Sequence, residues 1–149
     1  MQSRRVEIRF PGTHHGFAQG FTRLLGALDA AGLEGASRYN AELVFEEIVD
    51  NIVSHGAVDG SELEVRVTLE VRPDSIILTF DDNGVPFDPR GIPDPEPPKS
   101  LEQARIGGFG VMLVRRAAHS LDYLRTADGR NLLTVQVERA GATLCERGA

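Results

Sequence analysis

The chain has one cysteine, Cys145, close to its C-terminus, and no paired cysteine and histidine spacing of the kind that holds zinc. No disulfide or metal cluster staples it, so a fold must rest on an apolar core, and the cysteine usage fits a reducing compartment. Cys145 is read as a bystander. Long apolar runs are also missing: none approaches the ~20 residues that span a bilayer. The basic start, Met1 to Arg5, leads into an alternating pattern and not into an apolar signal core. The expectation is a cytoplasmic protein with no membrane partner. Basic residues are in the minority, 16 Lys and Arg against 22 Asp and Glu, for a net charge of -6. That balance argues against direct nucleic-acid binding, which relies on clustered cations. A Walker A loop is absent, since no Gly-Lys-Ser/Thr occurs, and so is a Gly-x-Gly-x-x-Gly fingerprint after the first strand. There are no repeats and no linkers.

What is present is an ordinary globular composition, 149 residues with 41% hydrophobic and 26% charged. A chain of this length can bury about 68–70% of its unfolded surface. One domain over residues 1–149 is expected. Val6, Ile8 and Phe10 alternate with Glu7 and Arg9, which predicts a half-buried strand over residues 4–10. Pro11-Gly12-Thr13 breaks it, and Phe17, Phe21, Leu24, Leu25 and Leu28 recur at helical spacing up to Ala30-Ala31-Gly32. His14 and His15 at its start read as solvent-side histidines. Ser37 is a candidate cap for a second helix that stops at Gly56.

That second helix carries chemistry as well as packing. Val44, Ile48 and Ile52 form one row and Phe45, Val49 and Val53 the next, a broad apolar stripe. Glu47, Asn51 and His55 form a third row at the edge of the stripe, where a core meets a pocket. Glu46, Asp50 and Ser54 lie farther round and are assigned to solvent. Strands follow at Leu63 to Val71, with one face wet, and at Ser75 to Asp82. In the latter, Ile76, Leu78, Phe80 and Asp82 share a face, so a carboxylate points inward. An unpaired buried charge is costly, so Asp82 needs a hydrogen-bond donor, unless the strand frays and Asp82 caps a turn.

Gly84 allows close backbone approach and Pro86 stiffens the exit. Six of the eight prolines fall between Pro86 and Pro98, which excludes ordinary helix or sheet there. Residues 86–107 read either as a lid, with Lys99 and Arg105 as phosphate-side charges, or as a solvated linker carrying two cations. Gly107-Gly108-Phe109-Gly110 then opens a helix over Val111–Ala118, and bare N–H groups at such a start attract phosphate. Leu121–Thr126 and Asn131–Glu138 read as strands joined around Asp128-Gly129. The fold class is α/β in the α+β sense: a two-layer sandwich, its sheet mixed but mostly antiparallel, with helices on one face.

Three stretches occur in a telling order: Glu46 to Gly56, Asp82-Asn83-Gly84-Val85-Pro86, and Gly107-Gly108-Phe109-Gly110. Together they resemble the N box and two glycine boxes of the GHKL ATPase superfamily (the HATPase_c or Bergerat ATP-binding fold). Within it the chain resembles the anti-sigma factor serine/threonine kinases of bacterial partner-switching systems, from the second helix to the last strand. Asp122-Tyr123 and Gly129-Arg130-Asn131 resemble the closing hairpin of those kinases.

The resemblance implies ATP and Mg2+ as cofactors. It puts Asn51 on magnesium, Asp82 and Gly84 with Pro86 at adenine, Gly107, Gly108 and Gly110 on the phosphates, and Glu47 as general base. Lys99 and Arg105 would lie on the lid and His55 would orient or pack. Implied partners are a STAS-type anti-anti-sigma factor, a sigma factor and a second copy in a homodimer. The implied activity is ATP-dependent serine/threonine phosphorylation, with a nucleotide-dependent binding switch as the alternative. A histidine-kinase reading lacks the acceptor hairpin, and an ATP-hydrolysing machine would carry a large transducer domain.

Overall fold

Strand β1 (Arg4–Pro11) turns its Ile8 and Phe10 into the core, then hands over to helix α1 (His14–Ala30) at Thr13. The Thr13 hydroxyl caps that helix by accepting from the Gly16 N–H at 3.0 Å. Helix α2 (Gly35–His55) follows after a short loop, and strands β2 (Glu64–Val71) and β3 (Ser75–Asp82) after that. A 3₁₀ turn (Pro89–Gly91), helix α3 (Gly110–Ala117) and strands β4 (Ser120–Arg125) and β5 (Asn131–Glu138) complete the computed structural model. It describes residues 3–97, 99–100 and 109–139.

The strand order is β1-β2-β3-β5-β4, with antiparallel pairing at every described neighbour, so the mixed sheet expected above is antiparallel throughout these residues. The reason lies in the connections. Two successive helices return the chain to the end of the sheet it left, so Pro11 pairs with Glu64 and β2 runs back along β1. Among the described residues the helices α1, α2 and α3 all pack into one core against the sheet, giving the two layers anticipated from the sequence.

Phe45 of α2 sits at the centre of the core with no exposure. Its ring lies 6.0 Å from Phe10, 6.2 Å from Phe17, 5.9 Å from Phe21 and 6.3 Å from Phe80, which ties α1, β1 and β3 to one side chain. Removing such a ring costs about 3–5 kcal/mol. More important for function, this packing sets the rotation of α2. Val44, Phe45, Ile48 and Val49 are buried, Glu47 and Asn51 half-buried, and Glu46, Asp50 and Ser54 exposed. The rows read from the sequence therefore hold.

One local expectation is corrected. Ser37 does not cap α2: the helix starts two residues earlier, at Gly35, with Glu34 in the cap position and no side-chain cap bond. Leu33 packs into the core at 3% exposure and Gly35 takes a φ of 69°, so the chain turns into the helix before Ser37 is reached. His14 and His15 are exposed, as expected. Among the described residues no helix is long and apolar enough to cross a membrane.

Candidate nucleotide pocket

Strand β3 ends with two aspartates on opposite sides of the sheet, and pairing makes them different acids. Asp81 faces outward beneath Arg66 and Arg130, which donate to its two oxygens. Burial would raise its carboxyl, but those two guanidiniums outweigh burial and hold it below the usual aspartate range. Asp82 faces inward, 4% exposed, in register with Val65 on β2 and Asn131 on β5. Burial pushes its carboxyl up, opposed by hydrogen bonds from Asn131 and from the Gly84 backbone. The Gly84 N–H lies 2.9 Å and Asn131 Nδ2 3.0 Å from the same atom, Asp82 Oδ1. Among the described residues Oδ2 is left without a protein donor. The inward carboxylate anticipated from strand parity has its donors, and it is no frayed cap: β3 runs through Asp82.

Asp82 forms part of the wall of a cavity between the end of α2 and the sheet. Ile48, Phe80, Val85 and Leu133 supply apolar wall, while Asn51, His55, Asp82 and Asn131 supply polar groups. The lining, an apolar slot with one buried acceptor, is of the kind that receives an N–H of a flat heterocycle, but the cavity holds only about 40 Å³, well below the ~300 Å³ of a typical ligand pocket, so a ring would have to part its walls. Gly84 is required by close packing: a Cβ there would stand 2.5 Å from Gly56 O and 2.9 Å from Asp82 Oδ1. The Gly56 carbonyl in turn accepts from the Val85 N–H at 3.0 Å, which seals the end of α2 to the turn after β3. Gly56 therefore stops α2 as expected, with a right-handed φ of -83°.

At the other end of the row, the Glu47 carboxylate lies against the backbone of Gly110, the first residue of α3. A Cβ on Gly110 would fall well inside 3.0 Å of Glu47 Oε2 and 3.3 Å from its Cδ. Burial raises the Glu47 carboxyl, helped by the charges of Asp50 and Glu46. A helix start and a carboxylate of raised pKa thus meet one helical turn from Asn51.

Among the described residues no cluster of three or more acidic, histidine or cysteine side chains is placed to hold a metal ion. Asn51 fits a cation held mainly by phosphate oxygens and water, since magnesium takes few protein ligands beside a nucleotide. His55 is exposed at the pocket's rim.

Not every sequence assignment falls at the pocket. Pro86 is exposed and is not among the residues lining the cavity, whereas its neighbours Val85 and Phe87, each more than a third exposed, do line it. The first part of residues 86–107 is fastened to the rest of the fold. Pro89 is buried in the 3₁₀ turn, Arg115 of α3 donates to the Ile92 carbonyl and to Asp94, and Arg90 lies 6.0 Å over the Tyr123 ring. Lys99 is exposed and outside the pocket wall. Arg105, Gly107, Gly108 and Cys145 lie outside the described residues.

Sequence reading missed the role of Asn131, which it took only as part of a closing hairpin. The parity that flags Asp82 flags Asn131 as well, since it shares its face with Leu133, Val135 and Val137. A second groove, bordered by Arg9, Thr13, Glu64, Arg66 and Arg130, lies at the β1–β2 end. It is the larger of the two, about 850 Å³, and its three guanidiniums pair with Glu7 and Asp81.

Residues 17–137 match the family described as the histidine kinase-like ATPase domain. Over 98 residues the chain is 36% identical to the serine/threonine-protein kinase BtrW of Bordetella bronchiseptica, covering 66% of this chain and 68% of that one. A chain in the crystal structure of the SiaB–SiaC complex from Pseudomonas aeruginosa is similar in fold, with a TM-score of 0.54. Its sequence identity is 13%, and the match covers 90% of this chain and 89% of that chain.

Proposed function

This chain belongs to the histidine kinase-like ATPase domain family, and on that premise we propose that it is an ATP-dependent serine/threonine protein kinase acting as an anti-sigma regulatory factor. Its substrate is a STAS-type anti-anti-sigma factor, and in the alternate partnership it sequesters a sigma factor as a homodimer. The kinase assignment draws on the similarity to a protein named a serine/threonine kinase. The partners draw on the resemblance of the three boxes.

In this reading Asp82 and Gly84 hold adenine, Asn51 ligates magnesium, and Gly107, Gly108 and Gly110 meet the phosphates. When bound, magnesium supplies charge neutralisation along the phosphates. Phosphoryl transfer otherwise asks the protein for positioning and a base. Glu47 takes the proton of the partner's hydroxyl as its oxygen bonds to the γ-phosphorus and the bond to the ADP oxygen breaks. The observation that carries the proposal is the Glu47 carboxylate seated against Gly110 with its pKa raised by burial. A base works best when its pKa approaches the working pH.

The test is transfer from γ-labelled Mg-ATP to the STAS-domain proteins of the source organism, beside a nucleotide titration. Glu47→Gln is expected to bind ATP normally and to lose roughly 10²–10⁴-fold in transfer. At saturating ATP the wild-type rate should fall on acidification, with a midpoint above that of an ordinary glutamate, since the folded pKa is raised. Equal transfer by Glu47→Gln and wild type would remove the base assignment. Tight ATP binding with no label on any candidate would identify a nucleotide-dependent binding switch instead.

A further inference from the structure

Asn131 opens β5 on the core side, 5% exposed, in register with Asp82 on β3 and Arg125 on β4. These three residues form a polar row at the end of an otherwise apolar sheet face. The Asn131 Nδ2 donates to Asp82 Oδ1 at 3.0 Å and to the Val85 carbonyl at 2.8 Å. Its Oδ1 accepts from the Phe87 N–H at 3.3 Å, from Arg125 Nη1 at 3.2 Å and from the Tyr123 hydroxyl. Nδ2 has two hydrogens and both are engaged, so the amide has no donor left for a ligand. Every neighbour of Nδ2 is an acceptor and every neighbour of Oδ1 is a donor. Turning the amide over would set oxygen against oxygen at Asp82 and N–H against N–H at Phe87.

We propose that Asn131 is a positioning residue that makes the pocket selective for a base with an exocyclic amino group at C6 over one with a carbonyl there, acting through Asp82 and through the pocket wall at once. The inference rests on the adenine-site reading above. A carboxylate held by one donor turns freely about its broad terminal torsion. With both Gly84 and Asn131 on Oδ1, the other oxygen, Oδ2, is the one presented to a ligand. The same amide holds Val85 and Phe87, which line the cavity beside Asp82. Arg125 adds a second tie to that wall, donating to the Gly84 carbonyl at 2.9 Å. Acceptor and wall therefore share one support, and losing it loosens both.

The test compares ADP with IDP, whose hypoxanthine ring lacks the exocyclic amino group, by calorimetric titration of the full chain. Nucleotide-free melting is measured on each variant. Wild type is expected to favour ADP about 10–100-fold, the value of a hydrogen bond to a charged acceptor. Asn131→Leu should bring that ratio below about 3-fold, chiefly by weakening ADP. Tyr123→Phe keeps the ring and removes one of three donors to Oδ1, and should narrow the ratio by roughly 2–5-fold. If Asn131→Leu does not fold, Tyr123→Phe decides alone. An unchanged ratio, with ADP and IDP weakened equally, would reduce Asn131 to a structural amide and overturn the proposal. Wild-type protein that binds neither nucleotide would overturn the adenine-site reading itself, before any substitution is made.

Discussion

Replacing Gly110 by alanine should separate catalysis from stability. Gly110 begins α3 at an ordinary negative φ, so alanine is not strained there, and a helix gains up to about 1 kcal/mol when glycine becomes alanine. The new methyl, however, would overlap Glu47 Oε2 and stand 3.3 Å from Glu47 Cδ and 3.7 Å from its Cβ. The obstacle is the far end of a flexible side chain, so the carboxylate moves and the backbone does not. Restoring ordinary contact takes a shift of about 1 Å, and a misplacement of that size can cost roughly 10²-fold in rate. The expected variant melts at or slightly above the wild-type temperature and binds ADP within about 5-fold of it, yet transfers phosphate on the order of 100-fold more slowly. The assay is initial-rate transfer at saturating Mg-ATP beside a thermal melt. Because both substitutions act on one carboxylate, adding Gly110→Ala to Glu47→Gln should slow transfer little further. Full activity in a stable Gly110→Ala protein would refute the placement of Glu47 at the reaction, as would full additivity of the two losses.

Asp82→Asn can keep its oxygen on Gly84 and Asn131 while turning an N–H toward the ligand. ADP affinity should fall about 10–150-fold, read by titration, and retained affinity would refute the adenine contact. Asp81 bears on stability. Its folded pKa is depressed, so its contribution is fully present above the unfolded value near 3.9 and is lost as pH falls through the folded pKa. Asp81→Asn should cost about 1 kcal/mol in urea unfolding at pH 7, a modest figure because Arg66 is half-exposed and screened. The deficit should shrink near pH 3, and an equal deficit at both pH values would refute the linkage.

Much of this was legible in the chain itself. The period-2 pattern of Ile76, Leu78, Phe80 and Asp82 placed a carboxylate in the core, and β3 has the bounds read from it. The 3.6-residue pattern of α2 put Glu47 and Asn51 on the edge of the stripe and Glu46 on the outside. Ser37 was misread because side-chain type suggests a cap, whereas helix onset depended on where Leu33 had to pack. The contacts of the proline-rich segment were not legible for a similar reason. Proline content excludes regular structure but does not show that Arg115, from another element, fastens Ile92 and Asp94.

Periodicity is a local property, one residue against the next few, so the sequence by itself determined which faces are buried, which carboxylate turns inward and which residues are offered to a pocket. Contacts between distant parts of the chain were decided by the tertiary structure alone. Asn131 reaches Asp82 across 49 positions because β5 pairs with β3 in one register. Gly84 meets Gly56, and Glu47 meets Gly110, because α2 is rotated by its buried phenylalanine and carries its row to both. A register shift of one residue would leave every strand pattern as written and turn Asp82 to solvent.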